Sequence, residues 1–81
     1  MRLKIKVIDA IDKEPLRAEV HINGRTYLTG PSGVVFISLR PGSYRITVKA
    51  PGYEEYSTFR VFEEGTYEIT VPLMPKFRLL R

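Results

Sequence analysis

Apolar and polar residues alternate along most of this chain. Leu3, Ile5 and Val7 fall on one side of an extended segment, and Arg2, Lys4 and Lys6 on the other. That period of two predicts a strand with one buried and one wet face. Asp12-Lys13-Glu14-Pro15 ends it, and a second strand follows with Ala18, Val20 and Ile22 inward and Glu19, His21 and Asn23 outward. Asn23-Gly24 supplies two residues tolerant of positive φ, as a type I′ hairpin turn requires. Residues 25–29 form the return strand, and its register stays open because Tyr27 and Leu28 compete for the inside.

After the Pro31-Ser32-Gly33 turn, residues 34–39 are apolar on both faces apart from Ser38. Val35, Ile37 and Leu39 are assigned inward, which leaves Val34 and Phe36 outward. Pro41-Gly42 is expected at the centre of a type II turn. Tyr44, Ile46 and Val48 then alternate with Arg45, Thr47 and Lys49 until Pro51-Gly52 breaks the strand. Residues 54–62 are the least regular stretch, with Phe59 and Val61 assigned inward. Glu63-Glu64-Gly65 closes a hairpin, and residues 66–73 present Tyr67, Ile69, Val71 and Leu73 to the core. Turn signals every eight to twelve residues predict an all-β sandwich or barrel. No helical periodicity lasts longer than two turns.

Composition supports that reading. Seven valines, seven isoleucines and six threonines stand against three alanines, and β-branched residues suit a pleated, half-buried surface. Glutamine and cysteine are absent and asparagine occurs once. Few thermolabile side chains among 27% charged residues is the pattern of proteins from hot environments. The net charge of +4 is unevenly placed: from Met74 onward the tail carries Lys76, Arg78 and Arg81 and no acid, so the rest is close to neutral. No apolar run approaches the roughly 20 residues of a membrane-spanning helix.

Most catalytic chemistry lacks its residues. Without cysteine there is no disulfide, thiolate metal site or thiol nucleophile. The single histidine, His21, excludes any site needing two imidazoles, and no Ser or Thr has a His base at a recognisable spacing. Glu54-Glu55 and Glu63-Glu64 adjoin turns and are assigned as solvated loop charges rather than an acid–base pair. His21 is assigned to the surface; a metal site made from Glu19 and His21 would still lack ligands. The Arg2, Lys4, Lys6 stripe is expected to pair across strands rather than bind phosphates. Single-strand nucleic-acid binding would also need aromatics among those bases, and that strand has none.

Several segments together resemble a known group. Lys6-Val7-Ile8-Asp9, Pro15-Leu16-Arg17-Ala18-Glu19-Val20, Thr29 and Gly33 resemble the carboxypeptidase regulatory-like domain. So do Leu39-Arg40-Pro41-Gly42-Ser43-Tyr44-Arg45-Ile46, Ala50-Pro51-Gly52-Tyr53 and Val71-Pro72-Leu73. The related PEGA-like domains share the Pro-Gly-x-Tyr and Pro-Gly-Tyr elements. The resemblance covers residues 3–74 and implies a seven-stranded, transthyretin-like two-sheet β-sandwich. In it the first, fourth and last strands share one sheet, and the second, third, fifth and sixth the other. It implies a non-catalytic, extracytoplasmic module; with no secretory signal ahead of the first strand, a chain complete as given would be cytoplasmic instead. Transthyretin-like folds include a hydrolase of 5-hydroxyisourate, but its several histidines and C-terminal Tyr-Arg-Gly-Ser have no counterpart here.

The expected organisation is a sandwich over residues 1–74 and a basic, apolar tail over 75–81, the tail adding an eighth edge strand or packing on apolar surface. The expected function is a non-enzymatic module for structure or protein–protein interaction, without cofactor. Its candidate interface residues are Ile8, Val34, Phe36, Phe77, Leu79 and Leu80, serving a protein partner or self-association through an edge strand or the tail. The alternative is a carbohydrate-binding module of starch-binding-like type, with Tyr53 and Tyr56 as its stacking platform. The resemblance implies instead that Tyr53 packs over the edge of the core.

Overall fold

The computed structural model describes residues 1–76. Seven strands form in chain order: β1 (Arg2–Asp9), β2 (Glu19–Ile22), β3 (Arg25–Leu28), β4 (Val34–Ser38), β5 (Gly42–Lys49), β6 (Tyr56–Phe62) and β7 (Thr66–Leu73). They make a three-stranded sheet ordered β4-β1-β7 and a four-stranded sheet ordered β3-β2-β5-β6. The division of strands is the one the resemblance implies. All pairings are antiparallel except β1 with β7, which run parallel from Arg2↔Thr66 to Asp9↔Leu73.

The core lies between the two inner faces. Leu3, Ile5, Val7, Ile37, Ile69, Val71 and Leu73 come from one sheet, and Val20, Ile22, Tyr44, Ile46, Val48 and Phe62 from the other. Each fully buried aliphatic contributes about 1.5–3 kcal/mol relative to an exposed one, so the alternation on β1 sets which face of that sheet turns inward. Tyr44 carries its hydroxyl to the core rim, where it donates to the Arg40 carbonyl at 2.6 Å.

The turns explain the boundaries. Asn23 and Gly24 have φ of 50° and 78°, the mirror-image turn expected of that pair. Tyr27 of β3 packs against the core and Leu28 is exposed, which resolves the register left open by the sequence. Gly33 is the tightest point: a Cβ there would sit 2.7 Å from the Val7 carbonyl oxygen, with φ at 75°. Only glycine lets the start of β4 close on β1, where the Val7 N–H donates to the Gly33 carbonyl at 2.7 Å.

Two local expectations are corrected. Pro41-Gly42 does not centre a type II turn, because Gly42 is nearly extended, with φ of 158°, and already opens β5. Pro51-Gly52 fits that turn instead: Gly52 has φ of 81° and the Tyr53 N–H donates to the Ala50 carbonyl at 3.1 Å. Phe59 and Val61 face outward, 59% and 69% exposed. On β6 the inner set is Tyr56, Thr58, Arg60 and Phe62, opposite Val48, Ile46, Tyr44 and Gly42. Phe62 packs between Tyr44 and Tyr67, with ring centroids 6.3 and 5.0 Å away. Two aromatic side chains, Tyr56 and Phe62, bury more area than one Phe and one Val, and strand parity carries residues 59 and 61 to the other face.

Past β7, residues 74–76 run beside the Pro51-Gly52 turn. The Glu54 N–H donates to the Met74 carbonyl at 2.8 Å and the Lys76 N–H to the Gly52 carbonyl at 2.9 Å. Tyr53 and Pro75 form an antiparallel bridge. Phe77, Leu79 and Leu80 lie outside the described residues.

Candidate interaction surface

Among the described residues the sandwich has four sheet edges, and they differ in kind. β3 is four residues long and opens on Arg25. β7 carries Glu68 and Pro72, and proline offers no N–H to a further strand. Charge, proline and shortness blunt edges against pairing. β4 has neither charge nor proline. β6 carries one charge, Arg60, exposed and opposite Tyr44, which blunts its edge only on the inner side.

Three of the six large apolar side chains exposed among the described residues lie on those two edges; the others are Ile11, Met74 and Leu28 of β3. On β4, Phe36 is 74% exposed and Val34 half-buried. Phe36 sits opposite Lys4, whose ammonium lies 5.9 Å from the ring centroid and 3.7 Å from a Glu68 carboxylate oxygen. The basic stripe of β1 thus does pair across strands at Lys4. Ile8, on the same face beyond the end of β4, is half-buried between Pro15 and Pro72. On β6, Phe59 and Val61 form a second outward apolar pair that the sequence reading placed in the core. The signal that finds them is the matching parity of Tyr56 and Phe62, which becomes decisive once Phe62 is seen between two tyrosines.

The tyrosine pair is separated by the fold. Tyr56 is half-buried on the inner side of β6, and Tyr53 is half-buried over the end of the core. The Tyr53 hydroxyl donates to Asp9 Oδ2 at 2.6 Å. Asp9 Oδ1 accepts from the N–H groups of Ile11 at 2.7 Å and Asp12 at 3.1 Å. The Tyr53 bond, followed by these two backbone donors, holds the Asp9 carboxyl below its ordinary range. The same bond and burial push the Tyr53 phenol up to about 12. A depression of about 770 Å³ adjoins Tyr53, lined also by Arg17, Leu28, Lys49, Glu54 and Lys76. Tyr53 is the one aromatic among its described lining residues.

His21 is half-buried in a polar row on the outer face of the four-stranded sheet. Its Nε2 lies 3.1 Å from Glu19 Oε1, and its Nδ1 is 3.1 Å from Thr26 Oγ1. Among the described residues no three His, Asp or Glu side chains gather closely enough to hold a metal ion. No helix among them is long and apolar enough to cross a membrane.

A two-sheet sandwich whose β4 and β6 edges are unpaired among the described residues defines a class of β-module. The family model of the PEGA domain matches residues 10–76, and the chain belongs to the PEGA domain family, a family of non-catalytic modules. No curated protein matches the sequence. Among solved structures, the chain is similar to the Bacillus anthracis TIE protein, at 23% identity and a TM-score of 0.67, over 93% of this chain and 16% of that one. It is similar to a Bacteroides fragilis NCTC 9343 protein whose name marks it as a candidate membrane-associated protein, at 17% identity and a TM-score of 0.63. That match spans 98% of this chain and 29% of the other. The Caf1A usher C-terminal domain matches at 19% identity and a TM-score of 0.55, over 95% of this chain and all of that one. Its surface hydrophobic clusters are described as important for F1 antigen assembly. At these identities the likeness is one of fold, and the chain spans less than a third of the two longer proteins.

Proposed function

We propose that this PEGA domain is a protein-interaction module that docks through its open sheet edges, and that it serves as one unit of a larger surface or secreted protein. The observation that carries the reading is the coincidence of two independent features on β4 and β6. These are the edges blunted least, by the short length of β4 and by Arg60 on β6. They hold Phe36, Phe59 and Val61, three of the six large apolar side chains exposed among the described residues, beside Ile11, Leu28 and Met74 elsewhere. An exposed apolar patch on an edge is an aggregation hazard unless a partner covers it. The usher domain, which shares the fold and has functional hydrophobic clusters on its surface, supports the same reading by likeness. The Bacteroides protein's name supports a membrane-associated setting in the same way. The carbohydrate alternative is weaker, because Tyr53 and Tyr56 are half-buried and the Tyr53 hydroxyl is committed to Asp9.

The test is site-specific photo-crosslinking in the native cell. A photoreactive residue in place of Phe36 or Phe59 is expected to trap a protein partner, and one in place of Thr70, exposed on β7, to trap far less. Equal or absent products at all three positions would remove the reading.

A further inference from the structure

The two open edges match each other. β7 packs over β6 through the Tyr67 and Phe62 rings, 5.0 Å apart, and β4 lies across β1 from β7. The β4 and β6 edges therefore face opposite sides of the sandwich. When β4 is laid antiparallel against β6 of another molecule with Phe36 opposite Phe59, Val34 meets Val61 and Ser38 meets Ser57. The outer face of the seam becomes three like-with-like pairs, the cross-strand arrangement that contributes most when aromatic or β-branched. One step beyond the strands, the same register sets Arg40 opposite Glu55.

Charge selects the same partner. β4 lies beside Arg2, Lys4 and Lys6 of β1 and is followed by Arg40. β6 is preceded by Glu54 and Glu55 and followed by Glu63 and Glu64. Arg60 lies on the strand itself and Arg45 of β5 lies opposite Phe59, so the acids are confined to the two ends of β6. Lys4 already reaches Glu68, Glu55 lies 4.0 Å from Lys49 and Glu64 lies 3.5 Å from the N-terminal amine, so part of each set is engaged within the molecule. Pairing β4 with β4 would bring bases together, and pairing β6 with β6 would bring acids together. Only the unlike pairing sets a base opposite an acid, Arg40 against Glu55.

We propose that the occupant of the β4 edge is the β6 edge of a second copy of this chain, joined antiparallel in the register Phe36–Phe59. This rests on the interaction-module reading and names its partner. Because the joined surfaces differ, the contact is head-to-tail and propagates into a chain or ring instead of closing as a two-fold dimer. β4 is only five residues long, so each contact is weak and assembly grows with protein concentration.

Sedimentation velocity of the whole chain over a concentration series tests this, with Phe36→Glu and Phe59→Lys as single-edge variants. Wild type is expected to grow past the dimer. Each variant alone should shift its association to about tenfold higher concentration or beyond, from loss of the aromatic pair and from the desolvation of a charge placed in an apolar seam. A mixture of the two variants should regain association, because each supplies the edge the other lacks. Both substitutions are at exposed sites, and a cooperative melt of each variant checks that it folds. As a second measurement, amide exchange at residues 34–38 and 57–61 should slow together as concentration rises. Self-association of either variant alone at wild-type strength would overturn the proposal in favour of a two-fold contact. A wild type that stays monomeric throughout would overturn it as well. If the same edges still crosslink to a different protein, only the second-copy proposal fails; if they crosslink to nothing, the module reading fails too.

Discussion

Asp9 ends β1 and holds the following turn through its carboxylate, which accepts from two backbone N–H groups and from the Tyr53 hydroxyl. Its folded pKa lies below the ordinary 3.8, so its contribution is present above about pH 4 and is lost as pH falls through the folded value. Tyr53 is raised from 10.0 to about 12. Its contribution is complete below about pH 10 and is lost as pH rises toward 12. Both shifts describe one hydrogen bond and are not added. Tyr53→Phe is therefore expected to abolish an ultraviolet tyrosine titration step near pH 12, and to shrink the loss of urea stability on going from neutral pH to pH 3. A variant with the wild-type profile at both ends would mean the bond is absent in solution. A second contrast separates adjacent residues. Tyr44 is 8% exposed and Arg45 is on the wet face. Tyr44→Ala should cost about 3 kcal/mol or more and Arg45→Ala no more than about 0.5 kcal/mol. Equal costs in denaturant titration would place the β5 register wrongly.

At the scale of elements, β6 is where pattern reading and packing disagree. Residues 56–62 carry aromatic or β-branched side chains at both parities, so alternation alone does not choose a face. The choice is made by partners distant in sequence: Val48 beside Tyr56, and Tyr44 with Tyr67 around Phe62. β1, β2, β5 and β7 were legible because each has bulky apolar residues at one parity and mostly polar ones at the other. The Asn23-Gly24 hairpin was legible because its φ requirement is local. The same contrast holds at the candidate surface. Phe36 was found because β4 is apolar on both faces, and the inner one is claimed by Ile37; Phe59 was missed because its strand gave no such excess. The corrected register predicts that Phe59→Thr stays within about 0.5 kcal/mol of wild type, whereas Phe62→Ala costs about 3–5 kcal/mol. Thermal or urea unfolding of the pair checks it, and the reverse order would restore Phe59 to the core.

The whole molecule is small for a two-sheet sandwich, and a chain of this size buries only about 60% or slightly more of its unfolded surface. Such domains are usually marginal, so what offsets the small core is the absence of internal conflict. No described buried side-chain nitrogen or oxygen lacks a hydrogen-bond partner. Buried Thr29 is satisfied on both counts, donating to the Leu16 carbonyl and accepting from the Ala18 N–H, each at 3.0 Å. That ties the loop after β3 to the loop before β2. Loops are short and carry proline, which lowers the entropy lost on folding. Together with the scarcity of thermolabile residues, these features place the expected midpoint well above the mesophile range of about 45–65 °C. Head-to-tail assembly would raise the midpoint further in a concentration-dependent way, so the decisive measurement is calorimetry on the Phe36→Glu variant at low concentration and neutral pH. A midpoint above that range in the variant assigns the stability to the sandwich itself. A midpoint inside it would show that neither the turn chemistry nor the composition confers thermal resistance.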